Sequence, residues 1–245
     1  MFYPFLLTTL AGLATLLGTI PIFFKIKNKN LIISAACSFA GGVMLCISIL
    51  DLIPESFIYL SGYVKPFFRI LLVFLFIVIG ITLSMIIDNY VEKMSNNSSL
   101  FKVGIISMIA IILHNIPEGI VTFIVTNKSL MLGVSICIAI AMHNIPEGIS
   151  IAVPIYYSGK SKKQALLYTF ISALSEPFGA IITYLFLIRY INDFILGLLF
   201  SLIAGIMIQI SINKLIPTGT NYQKKVSVIG FLLGFLVMLI SLYIG

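Results

Sequence analysis

Eight stretches of this chain are apolar for about 20 residues or more, the length a helix needs to cross a hydrocarbon core of roughly 30 Å. They fall near 4–24, 31–59, 66–90, 102–126, 130–157, 164–189, 193–213 and 226–244. At that depth no water is available to backbone N–H and C=O groups, so each stretch has to be a helix that satisfies its own hydrogen bonds. Charged residues make up 9% of the chain and hydrophobic ones 60%, too little polarity to coat a soluble domain. The expected fold is all-α: a polytopic membrane protein with eight transmembrane helices, forming a single transmembrane domain over residues 1–245. The first run is as long as the others and has neither a basic start nor a small-residue cleavage site, so it reads as a spanning helix and not as a removed leader.

The connections are short and polar: KNKN, SNNSS, SGKSKK and PTGTNYQKK follow spans one, three, five and seven. The ends of those spans carry 11 of the 15 Lys and Arg residues, which by the positive-inside rule makes these loops cytoplasmic and both termini extracytoplasmic, in a multi-pass plasma-membrane protein. A net charge of +7 spread so thinly offers no basic face for nucleic acid. Cys37, Cys46 and Cys137 lie in apolar runs without Cys-x-x-Cys spacing, which implies neither a disulfide framework nor a thiolate zinc site.

Two internal echoes organise the spans. Residues 42–54, GVMLCISILDLIP, return 163 positions later as GIMIQISINKLIP, in spans two and seven, which cross the bilayer in opposite senses. HNIPEG occurs at 114–119 and again at 143–148, in consecutive and therefore antiparallel spans four and five, with Gly104/Gly133 and Ile109/Ile138 as matching surroundings. The chain is thus expected to contain inverted repeats, helices 1–4 against helices 5–8, a plan many secondary transporters share, with the polar site at mid-depth.

Positions i and i+4 share a helix face, so His114 stands beside Glu118 and His143 beside Glu147. These are the only two histidines of the chain. Pro117 and Pro146 each remove a backbone donor and are expected to kink their helices, freeing carbonyls near Leu113 and Met142. Glu118, Glu147 and Glu176 all fall near mid-span, where one ionised carboxylate costs about 2.5–3.5 kcal/mol even on lenient insertion scales. No mid-span Lys or Arg is there to neutralise them, and a divalent cation among them removes both the cost and their mutual repulsion. Imidazole and carboxylate donors fit zinc, iron(II), manganese or cobalt, and Asn115 and Asn144 can add amide oxygens. Asp51 and Glu55, near the end of span two, are candidates for an access path. Met44 is a candidate soft contact, and Asp88 is expected at the cytoplasmic boundary. The competing reading is an intramembrane metal-dependent hydrolase, against which stand the absence of HExxH and of a third histidine. No nucleotide-binding motif is present.

Eight spans with both ends outside, HNIPEG in spans four and five and SEPFGA in span six resemble the ZIP (Zrt/Irt-like protein) family of divalent metal transporters, in its short-loop bacterial form. The resemblance covers nearly the whole chain. It implies import of zinc, with iron(II), manganese, cobalt and cadmium as further substrates, and no enzymatic activity or resident cofactor. It implies a binuclear centre: His114, Glu118, His143 and Glu147 as the main transport site, and Asn115, Glu118, Asn144, Glu147 and Glu176 as an adjoining second one, bridged by the shared glutamates. Met44 matches a position that approaches the first metal in some members. Its partners would be the metal ions and the lipid bilayer, with a homodimer as one admissible assembly. Two departures stand out: the loop between spans three and four is only EKMSNNSSLFK, and Asn213 and Lys214 stand where short-loop members carry acidic residues near the end of span seven.

Overall fold

The protein is described by a computed structural model over residues 2–24, 27–94, 98–187 and 190–244. Among the described residues eight helices are long and apolar enough to cross a membrane: α1 Phe2–Phe23, α2 Lys29–Tyr59, α3 Pro66–Lys93, α4 Ser99–Lys128, α5 Leu130–Tyr157, α6 Lys162–Leu187, α7 Asp193–Tyr222 and α8 Lys224–Tyr243. The polar loop residues start them. The side chains of Asn28, Ser98, Ser129 and Asn192 each accept a hydrogen bond from a backbone N–H in the first turn of the helix they precede. Ser161 and Gln164 form a reciprocal capping box at α6. Ser129 alone joins α4 to α5. Its N–H donates to the Val125 carbonyl while its hydroxyl caps α5, which turns the two HNIPEG helices antiparallel within one residue.

Helices α4 and α5 continue as α-helix through Pro117 and Pro146. Departures from α geometry lie in α1, as a 3-10 stretch over Thr15–Phe23, in α6, as a π turn over Thr183–Leu187, and before two other prolines. Helix α2 loosens to π geometry over Ser48–Leu52, just before Pro54, and α7 does the same over Ser211–Leu215, just before Pro217. A proline ring crowds the carbonyl four residues back, and a wider turn at that place relieves the clash. The two π turns are 163 residues apart, and each begins with a serine that bonds back four residues, Ser48 to the Met44 carbonyl at 2.7 Å and Ser211 to the Met207 carbonyl at 2.8 Å. The echo in sequence is an echo in backbone shape.

Close helix crossings define the whole symmetry. Glycine is required at these points because a Cβ would overlap a backbone carbonyl of the facing helix. Gly119 of α4 meets the Glu176 carbonyl of α6, and Gly148 of α5 meets the Thr15 carbonyl of α1. Gly179 and Gly18 return the contact onto Ile116 and Ile145. Gly42 of α2 meets Phe231 of α8 as Gly205 of α7 meets Ile77 of α3. Gly234 on Phe39 and Gly80 on Leu202 complete the pattern. These matches pair α1 with α6, α2 with α7, α3 with α8 and α4 with α5, at offsets of 161, 163, 154 and 29 residues. The repeats are therefore helices 1–3 and 6–8 around a central α4–α5 pair, where an even split had been expected between 1–4 and 5–8. An even split would pair α2 with α6, and the crossings forbid it.

Helices α1, α4, α5 and α6 pack as one group and α2, α3, α7 and α8 as another, and α2 against α5 is the main seam between them. Helices α2, α4, α5 and α7 bury most of their length, whereas α3 and α8 present large apolar side chains such as Phe74, Ile86, Leu232 and Leu236 outward.

Candidate metal centre

The symmetry brings the two HNIPEG copies face to face near the middle of α4 and α5. His143 Nε2 lies 2.9 Å from Glu118 Oε1 in a hydrogen bond that joins the two helices. His114 Nε2 approaches Glu118 Oε1 at 3.0 Å within its own helix and Glu147 Oε1 at 3.3 Å across to α5. The imidazole centroids are 6.1 Å apart. One ligand atom from each of His114, His143 and Glu147 falls within 4.8 Å of the others, a spacing at which one cation can touch all three.

Helix α6 supplies the third carboxylate. Gly119 lets the α6 backbone approach so closely that Glu176 reaches both asparagines. Asn115 Nδ2 donates to its Oε1 at 3.5 Å, and Asn144 Nδ2 donates to the same oxygen more tightly. Asn144 also donates to the Ala11 carbonyl of α1 at 2.9 Å. Each amide therefore spends its N–H groups on Glu176 or the backbone and leaves its oxygen free. His114, Asn115, Glu118, His143, Asn144, Glu147 and Glu176 are all at most 5% exposed.

Burial without partners marks the centre. Both nitrogens of His114, both carboxylate oxygens of Glu147, Oε2 of Glu118 and Glu176, and Oδ1 of Asn115 and Asn144 have no hydrogen-bond partner, the approaches of His114 Nε2 to Glu118 and Glu147 being ion-pair contacts outside hydrogen-bond geometry. An unsatisfied buried polar group costs about 1–3 kcal/mol. Eight such atoms in one place form a donor set without an acceptor, which is the chemistry of a cation site.

A cavity of about 390 Å³ runs from this cluster to the face opposite the lysine-rich loops. Glu118 and His143 form its floor, and Asp51, Glu55 and Tyr59 of α2, Phe200 of α7 and Leu242 of α8 form its walls. The π turn of α2 sets Asp51 into that wall. Met44 is buried on α2 and takes no part in the polar contacts described for the cluster. Asp88 is ion-paired: Lys214 Nζ lies 2.6 Å from its Oδ1 and 2.7 Å from Glu92 Oε1.

Two contributors carry little sequence signal. The Ala11 carbonyl is a main-chain group, foreshadowed only by the small residues of LAGLAT in α1. Thr15 is the symmetry partner of Glu176, and its buried hydroxyl is also unpartnered.

Fold and cluster together define a polytopic membrane protein built around a buried imidazole–carboxylate centre on two inverted helices. The chain belongs to the ZIP zinc transporter family, whose model matches residues 92–242. It is 36% identical to the zinc transporter ZupT of Clostridium perfringens over 97% of this chain and 94% of that protein. It is 36% identical to ZupT of Streptococcus mutans, over 99% and 97% of the two chains, and 38% identical to ZupT of Akkermansia muciniphila, over 97% and 96%. Membership in a transporter family leaves the intramembrane hydrolase reading without support.

Proposed function

We propose that this protein imports zinc across the plasma membrane, and that the HNIPEG pair with Glu176 is the site through which the metal passes. The observation that supports this reading most directly is the set of eight buried polar atoms without a hydrogen bond on α4, α5 and α6. His114, His143, Glu118 and Glu147 form the main site. Asn115, Asn144 and Glu176 complete an adjoining one with the two bridging glutamates, and the thioether of Met44 is a further soft contact. Such donors also accept iron(II), manganese, cobalt and cadmium, since geometry and availability, more than donor identity, sort first-row metals.

The lysine-rich loops face the cytoplasm, so both termini are outside and the cavity floored by Glu118 and His143 opens outward. Asp51 and Glu55 draw cations down its wall. Inverted repeats then give the means of release, because the arrangement open to one side has a symmetry-related counterpart open to the other.

Uptake of labelled zinc into proteoliposomes of defined orientation, with Glu118→Ala and Glu147→Ala beside the parent, tests the proposal. Both variants should lose uptake. Parental uptake in both would remove these residues from the path. Competition by unlabelled iron(II), manganese, cobalt and cadmium in the same vesicles ranks the substrates.

A further inference from the structure

The residues that line the outward cavity have symmetry counterparts on the opposite side of the bundle, and one of these is a lysine. Asp51, Glu55 and Tyr59 of α2 line the open cavity together with Leu242 of α8. At offsets of 163 and 154 residues their counterparts are Lys214, Thr218 and Tyr222 of α7 and Asp88 of α3, which gather toward the lysine-rich face. If the repeats exchange conformations, these residues line the path by which metal leaves. At the one position where the outward wall carries the free carboxylate of Asp51, the inward wall carries the ammonium of Lys214.

That ammonium is engaged. Lys214 Nζ is held by Asp88 at 2.6 Å and by Glu92 at 2.7 Å, and the side chains of Lys214 and Asp88 are 15% and 14% exposed, while that of Glu92 is 51% exposed. Two carboxylate oxygens converging on one point are also the beginning of a divalent-metal site, for which zinc–oxygen distances of about 2.0–2.2 Å are needed. Among the described residues neither Asp51 nor Glu55 is in an ion pair, so the outward wall is left free to attract cations.

We propose that Lys214 is a tethered cation that occupies Asp88 and Glu92 at the mouth of the exit path, so that departing zinc meets a neutralised pair and is not recaptured. The chain is thereby polarised, with bare carboxylates where metal arrives and an internal ammonium where it leaves. This inference rests on the import reading above.

The test is zinc binding and zinc uptake by purified full-length protein, parent against Lys214→Ala, with Lys214→Gln as the milder variant. Removal of the ammonium should add one zinc site per chain in titration calorimetry and lower the turnover rate about three- to tenfold, with KM falling alongside because release is slowed. Lys214→Arg should retain the parental stoichiometry and rate. Asp88→Asn combined with Lys214→Ala should lose the added site. A purely structural role for Lys214 would lower thermal stability without adding a site. Parental stoichiometry in folded Lys214→Ala or Lys214→Gln overturns the inference, and so does an added site that survives Asp88→Asn. Should the parent itself neither bind nor carry zinc, the import reading fails, a result distinct from the failure of this one.

Discussion

Gly119→Ala isolates what the α4–α6 crossing does for the centre. A Cβ at this position would lie 2.8 Å from the carbonyl carbon of Glu176 and 2.9 Å from its Cα, whereas ordinary contact begins at 3.4 Å, so α6 has to retreat by at least about 0.6 Å. The obstacle is backbone, which no rotamer change can move aside. Metal–ligand distances are fixed to within about 0.2 Å, so in the ligand set proposed above the Glu176 carboxylate, carried back by that much, would leave the coordination shell. The expected cost is about 10–100-fold in zinc affinity, the range for disturbing groups that orient a metal centre. Overpacking should cost about 1–3 kcal/mol of stability. Equilibrium competition against a zinc-sensitive dye reads the affinity, vesicle uptake reads the transport, and thermal unfolding in detergent confirms that the variant is folded. Gly62→Ala is the control, since nothing lies within 4 Å of a Cβ built there. A folded Gly119→Ala protein with parental affinity and uptake would refute the reasoning that this crossing places Glu176.

Two further outcomes follow from the same geometry. Asp51→Asn and Glu55→Gln remove charge from the cavity wall but no donor from the cluster, so each should raise the KM for zinc about two- to fivefold at low ionic strength while maximal uptake is retained, and added salt should narrow the difference. Zinc ligands bind in their deprotonated forms, so zinc titration in weak buffer at acidic pH should release protons, and affinity should decline as pH falls; an affinity unchanged from pH 7.5 to 5.5 would speak against imidazole ligation.

Much of this was legible in the sequence, for physical reasons that also explain the rest. Segment length against bilayer thickness gives eight helices, because lipid permits no other use of such runs. Helical periodicity places each His above its Glu, and span parity turns the repeated motif into an inverted one. Glu176 stands out because a carboxylate at mid-span demands a reason. The division of the repeats was readable only in part: the echo of 42–54 in 205–217 ties span two to span seven, whereas α1 and α6, or α3 and α8, share a crossing geometry traced in sequence by little more than a glycine at matching places, such as Gly18 and Gly179. Pro117 and Pro146 suggested kinks, yet α4 and α5 stay α-helical there and two of the three widened turns precede Pro54 and Pro217, which sequence alone does not rank above them. The Ala11 carbonyl lies beyond any reading of side chains, because every residue offers one and only packing selects it.

The unequal offsets of the repeats also have a practical side. Equivalent residues are 163 positions apart in α2 and α7 but 154 apart in α3 and α8, so the connection from α2 to α3 is nine residues longer than that from α7 to α8. The extra length includes Gly62 and surrounding residues that face open space, whereas α7 turns into α8 through Gln223 alone. The long connection is thus the place, on the face opposite the lysine-rich loops, for a fluorophore or an epitope tag, and the single-residue corner at Gln223 is where an insertion would pull the repeat apart.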